Sequence, residues 1–215
     1  VMGDECQGRE ACDGEIREMQ RLVRDGIQAG ALGLSISKNK GHFDPQGVLV
    51  PAVWATEEEI FALGDVLKEL GTGIIQGGGG RNAELENRLM SRLSRATGRQ
   101  VLYNNLNLSS RNTNGWKDLM DIVEETSKAG VRAYPLCSPY NIAESDADVE
   151  AMRQILNFSS AIVGLSDGGA HVQLHGGYGY STRLLGYWVR EMEIMSLEKA
   201  VRRLTFESAS AFGIY

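Results

Sequence analysis

Short apolar runs separated by helical stripes recur along this chain, and that alternation limits the folds open to it. The runs are Ala31 to Ile36, Gly73 to Gln76, Val101 to Leu106, Val131 to Leu136 and Ala161 to Leu165. The last three steps between them are each about 30 residues, the size of one βα unit. The intervening stretches carry apolar residues at helical spacing. Ile16, Met19, Val23 and Ile27 follow Asp13, which is placed to cap a helix, and Gly30 can end it. Thr56 and Glu59 make a capping-box pattern before Ile60, Leu63, Leu67 and Leu70, with Gly71 as the stop. Leu85, Leu89 and Leu93 form the next stripe, then Trp116, Leu119 and Val123, then Val149, Met152 and Leu156 behind Asp146. After Leu165 only helices are expected, one with Leu184, Leu185, Trp188, Met192 and Met195, and a short one opened by Ser196.

Strict alternation of helix and strand predicts an α/β fold with a parallel sheet and outer helices. Two architectures satisfy it: an open doubly wound sheet and a stretch of a (β/α)₈ TIM barrel. The helices after the fifth run, with no sixth strand, fit the end of a barrel at least as well as an open sheet.

Composition removes other classes. Lys plus Arg number 22 against 28 Asp plus Glu, a net charge of −6, so a nucleic-acid partner is not expected. No apolar run approaches the roughly 20 residues that span a bilayer, so no membrane partner is expected either. The three cysteines, Cys6, Cys12 and Cys137, make neither a disulfide framework nor a Cys-x-x-Cys site, and a cytoplasmic location is the default.

In both architectures ligands sit at the carboxyl ends of the strands. Ser35 and Ser37 follow the first run, Gln76 and Gly77 to Gly80 the second, and Asn104, Asn105 and Asn107 the third. Tyr134 and Cys137 belong to the fourth, and Ser166, Asp167 and His171 follow the fifth. Asp167 is the sharpest signal, because a carboxylate directly after a buried strand can act as a general base or bind a cation. An Asp-Gly turn brace is the bland alternative. The run Gly77 to Gly80 could cradle a phosphate, as in a flavodoxin-like binding module, yet it lacks the residues of a P-loop. It also fits a loop that must approach another backbone closely. His171 and His175 are four residues apart, but flanking glycines argue against the helix that would align them.

Four stretches carry a resemblance to the amidohydrolase superfamily, specifically its D-aminoacylase (N-acyl-D-amino-acid deacylase) group. Ala29 to Ser35 resembles the Gly-Ala-x-Gly-x-Ser segment of the fourth barrel strand, and Val131 to Pro135 the strand bearing a Tyr-Pro pair. Leu165 to His171 resembles the Ser-Asp-Gly segment of the eighth strand, and Leu184 to Glu191 the helix after it. The resemblance implies strands four to eight of the barrel, so that residues 1–215 are expected as one domain, a partial (β/α)₈ barrel of five parallel strands forming the C-terminal portion of a longer barrel. It also implies hydrolysis of amide-type C–N bonds in a small N-acyl amine. It implies a divalent metal, zinc first, with Asp167 as metal ligand and as the base that moves a proton from water to the leaving amine. Ser35, Gln76, Asn105, Tyr134 and His171 are the matching candidates for substrate binding. The family's His-x-His on strand one would lie before Val1. Where its strands five and six carry histidines, this chain has Gln76 to Gly78 and Asn105, and amides are poor zinc ligands. A weakly active or inactive piece, or a barrel segment kept for structure, is the corresponding alternative. Two bare sheet edges would invite pairing with a second copy.

Overall fold

The computed structural model describes residues 1–78, 83–109, 114–140, 145–166 and 177–214. Among these residues five strands are present: β1 (Gly33–Ser35), β2 (Ile74–Gly77), β3 (Val101–Tyr103), β4 (Ala133–Cys137) and β5 (Ile162–Val163). They follow one another in chain order, β1-β2-β3-β4-β5, in one open sheet. A doubly wound sheet reverses its order at a switch point. The sequential order excludes that alternative and leaves the partial barrel. The helices between strands are α1 (Asp13–Gln28), α2 (Glu57–Leu70), α3 (Ala83–Thr97), α4 (Gly115–Lys128) and α5 (Asp146–Asn157). Beyond β5 come α6 (Tyr180–Arg183), a π-helical turn Leu184–Glu191, α7 (Leu197–Arg202), a second π-helical turn Arg203–Glu207 and α8 (Ser208–Ala211).

The chain divides into two compact units, Val1–Asn104 with Asp121–Ala133, and Asn105–Met120 with Tyr134–Tyr215. In the first unit, β1 pairs with β2 through Gly33↔Ile74, Leu34↔Ile75 and Ser35↔Gln76. β2 pairs with β3 through Ile75↔Val101, Gln76↔Leu102 and Gly77↔Tyr103. Alternation then sorts the side chains. Ile75, Val101 and Tyr103, all fully buried, face the helices. The Tyr103 hydroxyl lies 3.2 Å from Thr126 Oγ1 of α4, which is 2.6 Å from Ser91 Oγ of α3 and donates to the Ile122 carbonyl. These buried hydroxyls satisfy one another, so the helix layer is fixed by direction as well as by apolar burial. Val66 and Leu67 of α2 and Leu93 of α3 complete this core.

In the second unit, β4 pairs with β5 through Leu136↔Ile162 and Cys137↔Val163. Burial pushes the Cys137 thiol up to about 12, so it packs as a small apolar group. Met152, Ile155 and Leu156 of α5, in the same unit, are fully buried. The Arg203 guanidinium, 2% exposed, donates to the Phe158 carbonyl at 2.8 Å and to Glu207 at 3.0 Å. Trp188, also buried, donates its indole N–H to the Pro139 carbonyl at 2.6 Å.

Several local expectations shift. Thr56 caps α2 by accepting from the Glu59 N–H at 3.1 Å, and Gly71 closes it at φ +66. Cys12, however, is the N-cap of α1, with Glu15 accepting from its backbone N–H at 2.8 Å, and Asp13 is already helical. Ser145 rather than Asp146 caps α5, accepting from the Asp148 N–H at 3.2 Å. The strands are shorter than the apolar runs. Leu106, for example, stays buried beyond the end of β3 and still donates its N–H to the Leu136 carbonyl.

β1 comes very close to β2 at one point. A Cβ on Gly33 would lie 2.0 Å from the Ile74 carbonyl oxygen, so only glycine permits this approach. Gly186, in the π-helical turn, faces open space. Gly33→Ala is therefore expected to lower the unfolding free energy by about 2–3 kcal/mol, whereas Gly186→Ala should not lower it. Urea unfolding of the two variants beside the parent chain checks the contrast.

Candidate functional site

The register that sends Ile75, Val101 and Tyr103 toward the helices sends Ser35, Gln76 and Leu102 to the other face. Asn104, two residues after Leu102, continues that face. Gln76 confirms this by donating from Nε2 to Asn104 Oδ1 at 3.1 Å. Ser35 is exposed, and Gln76 and Asn104 are half-buried. Two amides and a hydroxyl thus line the carboxyl ends of three adjacent parallel strands. Asn105 is exposed in the segment after β3, and the amide that meets Gln76 belongs to Asn104.

Gly77 and Gly78 serve packing. A Cβ on Gly77 would lie 2.6 Å from the Met90 sulfur and 2.9 Å from the Ile36 carbonyl oxygen. Gly78 adopts φ +84, and a Cβ there would lie 2.1 Å from Asn87 Oδ1. This is the close-approach reading of the glycine run. Gly79 and Gly80 lie outside the described residues.

In the second unit, Tyr134 is half-buried on β4. The turn after β4 is braced locally. Ser138 N–H donates to Asn107 Oδ1 at 3.3 Å, and Tyr140 N–H donates to Ser138 Oγ at 3.3 Å. Ser166 is half-buried at the end of the described segment after β5. Asp167 and His171 lie outside the described residues. In the first unit, His42 sits in a polar loop, with Nδ1 3.3 Å from Ser37 Oγ and Nε2 3.1 Å from Asn39 Nδ2.

Sequence reasoning missed one group altogether. Leu85, read as part of the apolar stripe of α3, is 67% exposed, whereas its neighbour Glu86 is 5% exposed. The buried stripe runs Glu86, Met90, Leu93, Thr97, a run of i+4, i+3 and i+4 steps that places one carboxylate among apolar residues. The Lys38 backbone N–H donates to the Glu86 carboxyl, while its Oε1 has no hydrogen-bond partner. Burial pushes the Glu86 pKa up to about 7 against the pull of Lys38. The Lys38 ammonium itself donates to the Ala55 carbonyl.

Among the described residues, no group of three His, Cys, Asp or Glu side chains could hold a metal ion. The donors at the ends of β1, β2 and β3 are a hydroxyl and two amides, which do not fit a zinc site. No described helix is long and apolar enough to cross a membrane.

Neither a family model nor a curated protein matches this chain. Solved structures do. A crystal structure of D-aminoacylase, described as defining a novel subset of amidohydrolases, superimposes with a TM-score of 0.77 at 23% identity. It covers 99% of this chain and 55% of that one. A D-aminoacylase studied for the role of its binuclear metal centre gives a TM-score of 0.74 at 22% identity, covering 95% of this chain and 54% of that one. A D-aminoacylase mutant in complex with copper chloride gives 0.73 at 21%, with the same two coverages. The chain therefore has the fold of part of the D-aminoacylase barrel and spans about half the length of those structures.

The raised pKa of Glu86 has a thermodynamic consequence. Folding favours its protonated form, so the carboxyl costs nothing below the unfolded value of 4.5, and its cost grows until the pH passes about 7. Glu86→Gln is expected to gain stability relative to the parent between pH 5 and pH 8, by up to about 3 kcal/mol. Urea unfolding of both proteins at the two pH values measures it. An equal difference at both would remove the assignment.

Proposed function

We propose that this chain is part of a hydrolase acting on amide-type C–N bonds of N-acylated amines. The observation that carries the proposal is the likeness to D-aminoacylase over 99% of the chain. The polar row at the carboxyl ends of β1 to β3, where parallel barrels place their chemistry, adds support.

In this reading Asp167 is the general base. It takes a proton from the attacking water, whose oxygen bonds to the acyl carbon. As the C–N bond breaks, the same carboxyl returns the proton to the departing nitrogen, giving a carboxylic acid and an amine. Ser35, Gln76, Asn105, Tyr134 and His171 are the candidates for holding the substrate. Zinc as cofactor belongs to the same proposal and is supported by the binuclear metal centre named for one D-aminoacylase. Asp167 is the residue of this chain that would hold it, and among the described residues no group of three His, Cys, Asp or Glu side chains could hold a metal ion. A cytoplasmic location, and a homo-oligomer formed through open sheet edges, complete the reading.

The sequential strand order weighs against the flavodoxin-like alternative. The test is release of free amine from N-acetyl amino acids of both chiralities by the full-length protein, with Asp167→Asn beside it. Turnover is expected in the parent and a loss of at least about a hundredfold in the variant. Undiminished turnover in Asp167→Asn would remove the assigned base. No release from any N-acyl substrate would remove the amide-hydrolase reading.

A further inference from the structure

We propose that Ser35, Gln76 and Asn104 form a neutral hydrogen-bonding row that receives the amide group of the substrate, with Asn104 as a specificity-determining residue. The proposal rests on the N-acyl amine reading above and adds which group is recognised and by what. An amide side chain offers two N–H donors and a carbonyl with two lone pairs. The single Gln76–Asn104 bond uses one donor and one lone pair. Gln76 keeps its carbonyl and one N–H, and Asn104 keeps its NH₂ group and one lone pair. Turning both amides end for end leaves the same total. Ser35, opposite Gln76 in the β1–β2 register, adds a hydroxyl that both donates and accepts.

Charge narrows the ligand. On this face the described positions are Gly33, Ser35, Ile74, Gln76, Leu102 and Asn104, none of them ionisable. Two charged groups of the first unit are engaged elsewhere: the Lys38 ammonium is held by the Ala55 carbonyl, and Glu86 is buried in the stripe of α3. A carboxylate, a phosphate or a metal ion on this row would find no compensating charge among the described positions of the face. A secondary amide matches the row, because its N–H needs an acceptor and its C=O needs a donor. The mutual hydrogen bond holds the two side chains in place before a ligand arrives, which lowers the entropic cost of binding.

The test follows the side-chain NH₂ signals of Gln76 and Asn104 in the ¹⁵N-labelled protein by NMR. N-acetylalanine is titrated beside 2-acetoxypropanoate, the ester in which oxygen replaces the amide nitrogen. Both NH₂ signals are expected to move with the amide, and the ester to bind roughly five- to tenfold more weakly because it lacks the N–H donor. Gln76→Met and Asn104→Leu should each erase that preference. The wild-type signals decide the matter even if a variant fails to fold. Signals that stay still with the amide, or that move with zinc chloride or glucose and not with the amide, would overturn the proposal. Amine release is measured separately on the same protein. Turnover with still NH₂ signals would remove this inference and leave the hydrolase reading. Moving signals without turnover would do the reverse.

Discussion

Parity along three short parallel strands governs the first unit. In a strand, successive side chains point to opposite faces, and a one-residue slip would exchange the two sets. The β1–β2–β3 register commits Ile75, Val101 and Tyr103 to the helix layer, and the same commitment leaves Ser35, Gln76 and Asn104 together on the other side. The hydroxyl network of Tyr103, Thr126 and Ser91 locks this choice. If β3 slipped, the Tyr103 phenol would lose its hydrogen bond to Thr126, while Thr126 and Ser91 would still satisfy each other. Stability on one face thus specifies the chemistry available on the other.

The alternation of helices and strands was legible because it needs only periodicity and stop signals. Thr56, Gly71 and Ser196 sit where their chemistry places them, capping or closing their helices. The boundaries that moved are those where two residues compete for one role. Ser145 and Asp146 can both cap, and the hydroxyl of Ser145 is the group that accepts the Asp148 N–H. Leu85 and Glu86 competed for one buried position, and composition pointed to the leucine. The path of the chain after β1 decided otherwise, because the Lys38 backbone N–H meets the Glu86 carboxyl. No sequence window contains both residues, so no periodicity could have revealed that pairing.

The candidate site was half legible for the same reason. Each strand end could be read for its polar residue, and Ser35 and Gln76 are at or near those ends, whereas Tyr134 is the second of the five residues of β4. Choosing between Asn104 and Asn105 required the register. The strand ends at Tyr103, and the residue one step beyond it shares the face of Gln76, whereas the next is exposed. A count of residues from the start of an apolar run cannot supply that parity, because the run continues to Leu106 while the strand does not.

The likeness in fold and the difference in side chains bear on separate questions. A TM-score of 0.77 at 23% identity means that the backbone path is retained while most side chains differ. Function resides in the site rather than in the fold, so the superposition speaks for the backbone, and the amides at the ends of β2 and β3 speak for what this face can bind. Imidazole and carboxylate ends would make this half of the barrel a place for a cation. On the reading proposed above, two amides and a hydroxyl receive a neutral polar group, with directional bonds replacing net charge as the source of selectivity. Directional recognition of this kind rejects a substrate lacking the matching N–H more sharply than an apolar wall could, because a buried polar group would be left unpaired.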